Sequence, residues 1–263
     1  MATRLGSPLL KRCGEQSGAF LSHGSEILSV LMNRLKTGVP GFDELIEGGF
    51  PEASSILLSG GAGTGKSIFC LEYLYHGAQV EHEPSVYITL EEGPHNLWWN
   101  MQRFKWDLLP LERENLLKIY KFEPSENMEN NSTEQIKKIV EKARDLHVKR
   151  LVIDSITAFT FWFSDPAKIR YGLYTLVEEL RKLNCTTILT GEVGGKKDDY
   201  SKFGVEEFLA DGLVMMYFFP PNRSIFVRKM RGTKHSQSVH PLTISENGLE
   251  VNPRENIPWE SIP

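Results

Sequence analysis

Four glycines, a threonine, a lysine and a serine fall together in Gly60-Gly61-Ala62-Gly63-Thr64-Gly65-Lys66-Ser67. The run lies between an apolar stretch, Ser55-Ile56-Leu57-Leu58, and a helical pattern from Ile68 to Gln79. In that setting the glycines let the chain wrap closely, so that backbone N–H groups converge on a phosphate at a helix N-terminus. Lys66 would supply a point charge for the β- and γ-phosphates, and the Ser67 hydroxyl is placed to ligate Mg²⁺. The expected ligands are therefore ATP, its product ADP, and the Mg²⁺ that travels with them. The competing reading is a chance glycine-rich turn, which would not require the preceding strand and the following helix.

Two acidic positions extend this chemistry. Leu151-Val152-Ile153-Asp154 is an apolar run ending in a carboxylate. In a parallel sheet that places Asp154 at the carboxyl edge, where a nucleotide's metal needs an oxygen partner. Alone, such an Asp reads as a helix cap or turn residue; beside a phosphate loop it is a metal-site candidate. Glu91 and Glu92 end the run Val86 to Leu90 at the same edge. Hydrolysis needs a carboxylate to orient the attacking water, and mutual repulsion would raise the proton affinity of one of the pair. Out of context the same pair reads as a solvated start to the loop Gly93-Pro94-His95-Asn96.

The elements that must position these residues follow from patterning. Near-continuous apolar runs (Ser55–Leu58, Val86–Leu90, Leu151–Asp154, Thr186–Thr190) suit strands buried on both faces. Helical stretches lie between them. Ser132-Thr133-Glu134-Gln135 has the form of a capping box, with Ile136, Ile139, Val140, Ala143 and Leu146 following at helical spacing. Leu173, Leu176, Val177, Leu180 and Leu183 form a second stripe. Alternating strands and helices predict a doubly wound α/β domain with a mostly parallel, twisted sheet. Past residue 211 the runs Leu213–Phe219, Ser224–Met230 and Leu242–Ser245, with turns at Pro220-Pro221-Asn222 and Asn247-Gly248, predict antiparallel strands at one edge.

This patterned domain spans 32–254, followed by a short tail, 255–263. Residues 1–31 lack period and read as a loosely ordered extension, or as sequence upstream of a start at Met32. Lys plus Arg is 30 and Asp plus Glu is 34, a net charge of -4 that gives no global pull toward nucleic acid or an anionic membrane. No apolar run approaches the roughly 20 residues needed to span a bilayer. Cys13, Cys70 and Cys185 show no Cys-x-x-Cys spacing, and the seven histidines no ligand spacing. The expectation is reduced thiols in a cytoplasmic protein, with no metal beyond the nucleotide's own.

Together these residues resemble the RecA/RadA/KaiC group of ATPases, most closely the single-domain KaiC-like proteins typical of archaea. The resemblance covers residues 32 to 254 and implies a RecA-like P-loop core. Thr37-Gly38-Val39-Pro40-Gly41-Phe42-Asp43-Glu44-Leu45, with Gly48-Gly49-Phe50-Pro51, resembles the group's opening motif. Leu90-Glu91-Glu92 matches the position of its catalytic glutamates, and Val152-Ile153-Asp154-Ser155 its second nucleotide motif. Phe203 to Asp211 and Lys229-Met230-Arg231-Gly232-Thr233-Lys234-His235 resemble KaiC in particular. The resemblance implies that Lys229 and Arg231 reach a neighbouring subunit's nucleotide as trans fingers in a homo-oligomeric ring, a hexamer. Without it, both read as exposed strand charges that discourage edge pairing. One ATPase domain in place of KaiC's tandem pair, and no Ser-Thr pair near Glu206–Asp211, argue against a clock role and autokinase activity.

Two stretches are candidate partner surfaces, since in RecA-like rings the corresponding loops line the channel. Phe159-Thr160-Phe161-Trp162-Phe163-Ser164-Asp165 is aromatic, and Gly194 to Lys202 carries Lys196 and Lys197. Stacking and phosphate tracking would suit single-stranded DNA, although Asp198 and Asp199 offset the lysines. The alternatives to a hydrolysing ring are therefore a recombinase-like DNA-binding paralogue and a nucleotide-gated scaffold for a protein partner. In a further cluster, Leu97, Met101 and Phe104 share a helical face and are expected in the core, with Trp98 or Trp99 at a subunit or partner surface.

Overall fold

The computed structural model describes residues 33–125, 131–194 and 196–262. The expected extension 1–31 and Cys13 lie outside the described residues, and the unit considered below begins at Arg34. Its strands are β1 (Arg34–Leu35), β2 (Phe50–Pro51), β3 (Ser55–Gly60), β4 (Ser85–Thr89), β5 (Leu117–Lys121), β6 (Arg150–Asp154), β7 (Thr186–Glu192), β8 (Gly212–Phe219), β9 (Asn222–Met230), β10 (Val239–Ser245) and β11 (Gly248–Val251). Its longer helices are α1 (Lys66–Gln79), α2 (Pro94–Met101), α3 (Ser132–Asp145) and α4 (Pro166–Arg181).

Strands β3 to β11 form one nine-stranded sheet in the order β11-β10-β9-β8-β3-β7-β6-β4-β5. The six from β8 to β5 run parallel, and β9, β10 and β11 alternate in direction beyond them. The doubly wound fold read from the patterning is therefore present, with antiparallel strands at its C-terminal edge. One refinement is needed: β8 is parallel to β3 and belongs to the central block, so the antiparallel part begins at β9. The reason is that β8 is reached from β7 by a crossover rather than by a hairpin, and a crossover permits parallel pairing.

Both faces of the sheet are covered. Ile56 and Leu58 pack with the α1 and α2 side chains, while Leu57 packs with α3 and α4, so successive residues of β3 feed opposite cores. The opening motif closes one end. Asp43 accepts hydrogen bonds from the Thr37 N–H at 3.0 Å and the Thr37 hydroxyl at 2.7 Å, and Val251 N–H donates to Pro40 O at 2.9 Å. Gly41 has φ 78°, and a Cβ there would lie 2.0 Å from the Val251 carbonyl oxygen.

Three local expectations need correction. The Ser132 capping box does not form: Ser132 is the first helical residue, Asn131 stands before it, and no side chain caps the helix. Because Gln135 N–H already bonds Asn131 O, the N-cap position falls one residue earlier than the motif requires. The aromatic stretch 159–165 is not an open loop. Phe159–Trp162 is a helical turn, Asp165 caps α4 by accepting from Ala167 N–H at 2.8 Å, and Phe159 and Phe163 are buried. Apolar burial has drawn the ring-rich side inward, leaving Phe161 exposed. Phe104 lies beyond the end of α2 rather than on its face, although it is buried with Leu97 and Met101 as expected. Trp99 is exposed. Ile257 N–H bonds Val239 O at 2.8 Å and Ile262 is buried, so the 255–262 segment lies against the sheet.

Arg150, at the start of β6, is only 1% exposed. Its guanidinium pairs with Glu83 at 2.6 Å, donates to the carbonyls of Lys36 and Tyr73, and lies 4.7 Å over the Tyr73 ring. Glu83 is 26% exposed and can be rehydrated, so the main cost of losing Arg150 is the buried carbonyls left without their donor, about 1–3 kcal/mol. The Arg150→Met variant is therefore expected to lower unfolding stability by about that much in urea denaturation. An unchanged midpoint would show the pair to be dispensable.

Candidate functional site

The register of the parallel strands sets the site. Gly60 of β3 is level with Glu192 of β7, Asp154 of β6 follows Ile153, which faces Leu189, and Thr89 of β4 faces Asp154. Four adjacent strands thus deliver their carboxyl ends to one line, with Glu91 and Glu92 two and three residues beyond Thr89. The loop from Gly60 to Gly65 leads into the N-terminus of α1, and Gly63 and Gly65 take φ of 74° and 107°. Those are conformations glycine adopts at little cost. At Gly60 a Cβ would meet the Met216 carbonyl oxygen at 2.5 Å, so the loop leaves the sheet where no side chain fits.

Lys66 is nearly buried, and its Nζ donates to the carbonyls of Gly60 at 2.8 Å and Gly61 at 3.0 Å. Glu192 lies 4.0 Å away. Burial pulls the lysine's proton affinity below the usual range, and the charges of Glu192 and then Asp154 oppose that shift. Ser67 donates to Asp154 Oδ2 at 3.0 Å. The same carboxylate also accepts from the buried hydroxyls of Tyr87 and Thr190, which fix its orientation. Burial, then the Asp154 charge, drives the Tyr87 hydroxyl well above the usual tyrosine range, so it remains a donor.

The two glutamates diverge. Glu91 accepts from the Ser155 hydroxyl at 2.7 Å, whereas Glu92 lines the cavity above the loop. Burial first, and the Asp154 charge second, raise the proton affinity of Glu92. The expected mutual repulsion is not the cause, since Glu91 turns to Ser155 instead. The cavity has a volume of about 620 Å³. Its lining includes the loop, Asp154, Glu192, Met101, Phe104 and Ile244, and a Cβ on Gly65 would lie 3.3 Å from Ile244 Cδ1. Arg223, also in the lining, donates to Gly63 O at 2.9 Å and lies 4.0 Å over the Phe218 ring.

Residues 60–67, Glu92 and Asp154 therefore meet at one place, with Glu91 beside them. Lys229 and Arg231 do not. Lys229 Nζ donates to the carbonyls of Glu207 and Ala210, and Arg231 pairs with Asp211 at 3.0 Å. Those partners stand just before β8, whose first residue is level with Ile56. The phosphate loop starts four positions farther along β3, about 13 Å away at strand rise. Within one chain the two cations and the loop lie at opposite ends of the sheet.

Sequence reading missed Tyr87, Thr190, Glu192 and Arg223 as site residues. Glu192 had a signal, an acid ending an apolar strand as Asp154 does. Tyr87 and Thr190 look like ordinary strand residues until register sets them beside Asp154, and Arg223 follows a turn with no local cue. Among the described residues no group of three or more His, Cys, Asp or Glu could hold a metal by itself. No helix among them is long and apolar enough to cross a membrane.

The family model described as "ATPase: KaiC" matches residues 35–256. A UPF0273 protein of Methanocaldococcus jannaschii is 37% identical over 238 residues, covering 84% of this chain and 97% of that protein. The circadian clock oscillator protein KaiC of Prochlorococcus marinus is 34% identical over 239 residues, covering 86% of this chain but 46% of the clock protein. The crystal structure of a KaiC-like protein from Pyrococcus horikoshii superposes with a TM-score of 0.73 at 41% identity, covering 84% of this chain and 99% of that one. The family implies nucleotide binding. The chain belongs to the KaiC ATPase family, with one such domain over residues 35–256, and is similar to archaeal KaiC-like proteins.

Proposed function

We propose that this protein is a cytoplasmic ATPase that assembles as a ring, a hexamer by family likeness, with Lys229 and Arg231 of each subunit completing the next subunit's site. The observation that carries the reading is the convergence of Lys66, Ser67 and Asp154 at the carboxyl edge of the sheet. Lys66 and the α1 N-terminus would hold the β- and γ-phosphates. The donor set fits Mg²⁺: a hydroxyl and a carboxylate are hard oxygens, too few for an all-protein cage and suited to an ion that brings phosphate and water ligands. Ser67 and Asp154 would hold it, and it would neutralise charge building on the phosphates. Glu92, facing the cavity, orients the attacking water, while Glu91 holds the Ser155 corner. Lys229 and Arg231 lie far from their own loop, which suits a role on a neighbour's nucleotide.

Steady-state turnover and ATP binding of Glu92→Gln and Glu91→Gln test the assignment. The first is expected to lose about 10²- to 10⁴-fold in kcat with ATP affinity kept, and the second to lose less. Full turnover in Glu92→Gln would remove the water-positioning role. Single-stranded DNA is expected to leave turnover unchanged, since Phe159 and Phe163 are committed to the core. Salt-sensitive stimulation by DNA would favour a recombinase-like paralogue, and negligible turnover of the assembled ring a scaffold for a protein partner.

A further inference from the structure

Glu72 lies in α1 and is 5% exposed. Its Oε2 accepts from Leu249 N–H at 2.8 Å, in the first residues of β11. The turn before that strand is held from the other side as well. Trp106 Nε1 donates to Asn247 O at 3.2 Å, and Lys105 N–H to Glu246 O at 3.0 Å. The Trp106 ring stacks on Phe104, centroids 4.6 Å apart, and on Tyr75 of α1 at 5.7 Å. Gly248, φ 119°, leaves no room: a Cβ there would lie 2.6 Å from Glu72 Oε2 and 2.7 Å from the Trp106 ring. The β10–β11 turn, residues 104–106 and α1 are thus fastened together, and Phe104 and, near the end of β10, Ile244 line the cavity.

We propose that Glu72 is a positioning residue that clamps the β10–β11 turn to α1, so that the cavity lining at Phe104 and Ile244, and with it ATP affinity, loosens as pH rises. The inference rests on the cavity's being the ATP site. A neutral carboxyl can accept the Leu249 N–H and stay dry, whereas an ionised one draws in water, which this packing admits only by opening. Burial pushes the Glu72 carboxyl up to about 8, opposed only by the Leu249 hydrogen bond. The charged groups of the segments packed above it, Lys105 and Glu246, are paired with each other. On its own helix the titratable neighbours are Tyr75 and His76, and the His76 ring lies against Gly38.

The direction follows from linkage. A group whose proton affinity is raised in the closed form favours closure fully below its open-form value, about 4.3 for a glutamate, and loses that contribution as pH rises to the closed-form value. Closure therefore weakens by up to about tenfold per pH unit across that window and is flat above it.

The test uses the full chain, as wild type, Glu72→Gln and Trp106→Phe, between pH 6 and 9. Mg²⁺-ATP binding and tryptophan emission without nucleotide are both measured. Wild-type affinity is expected to fall by up to about a hundredfold between pH 6 and 8 and then level off, and that of Glu72→Gln, which keeps a neutral acceptor, to stay level. Wild-type emission is expected to shift over the same window, with the shift absent in Glu72→Gln and Trp106→Phe. Since His76 titrates nearby, the difference between wild type and Glu72→Gln isolates the clamp. A shift of equal size in Glu72→Gln, or pH-independent wild-type affinity, would overturn the inference while leaving the nucleotide site intact. Absence of ATP binding at every pH would overturn the proposed function instead, with the emission titration still deciding the clamp.

Discussion

Lys66→Met is expected to cut ATP turnover by at least about 100- to 1000-fold, the usual loss when one pre-placed electrostatic partner of a transition state is removed. It is also expected to weaken ATP binding by tenfold or more, since a hydrogen bond to a charged group contributes about 1.5–3 kcal/mol. The variant keeps the aliphatic stem that fills the nearly buried position, while the carbonyls of Gly60 and Gly61 lose their donor. A modest loss of stability accompanies the change, so circular dichroism and thermal unfolding belong beside the assay. If a folded Lys66→Met protein bound ATP as tightly as wild type, the phosphate loop would not be the binding site.

The second large effect is expected at Arg231. Its side chain is 52% exposed and pairs with a part-buried Asp211, so Arg231→Ala should change stability by only about 0–1 kcal/mol. Turnover of the assembled protein should nonetheless fall by about 10³- to 10⁵-fold, the contribution of an arginine supplied to a phosphoryl-transfer site. ATP binding to the isolated chain should be unchanged, because Arg231 stands at the far end of the sheet from its own loop. Lys229 adds a pH expectation. Burial, and then the Arg231 charge, lower its proton affinity. That shift belongs to the isolated chain; in the assembled site a neighbour's phosphates would raise the proton affinity again, so wild-type and Lys229→Arg turnover should share one alkaline profile. A wild-type rate in Arg231→Ala, measured on the same assembled species, would leave the arginine without a role in turnover.

What the sequence revealed tracks how local each signal is. Residues 60–67 are legible because strand, loop and helix follow one another directly, and the glycines are demanded by backbone geometry within eight positions. Asp154 and Glu91-Glu92 are legible because a polar ending to an apolar strand marks a sheet edge. Tyr87 and Thr190 are not, because they acquire meaning only when register sets β4 and β7 on either side of β6. The same holds for β8, whose apolar run fits either direction and whose parallel pairing to β3 is a long-range outcome. The 159–165 stretch differs from its sequence reading for a related reason: its composition suggests a stacking loop, but Phe159 and Phe163 find a core face across a helical turn. At Ser132 the motif fitted the letters, and the backbone began the helix one residue too early for the cap.

The central claim is that a site begun by one subunit's Lys66 is finished by another's Arg231, and mixing tests it most directly. Lys66→Met and Arg231→Ala proteins, each nearly inactive alone, are combined under assembling conditions and ATP turnover is measured against their ratio. Rings containing both should regain activity, because an intact loop from one variant meets an intact arginine from the other, with a maximum at intermediate ratios. A mixture no more active than the sum of its parts, in rings shown by mass to contain both chains, would contradict the shared site.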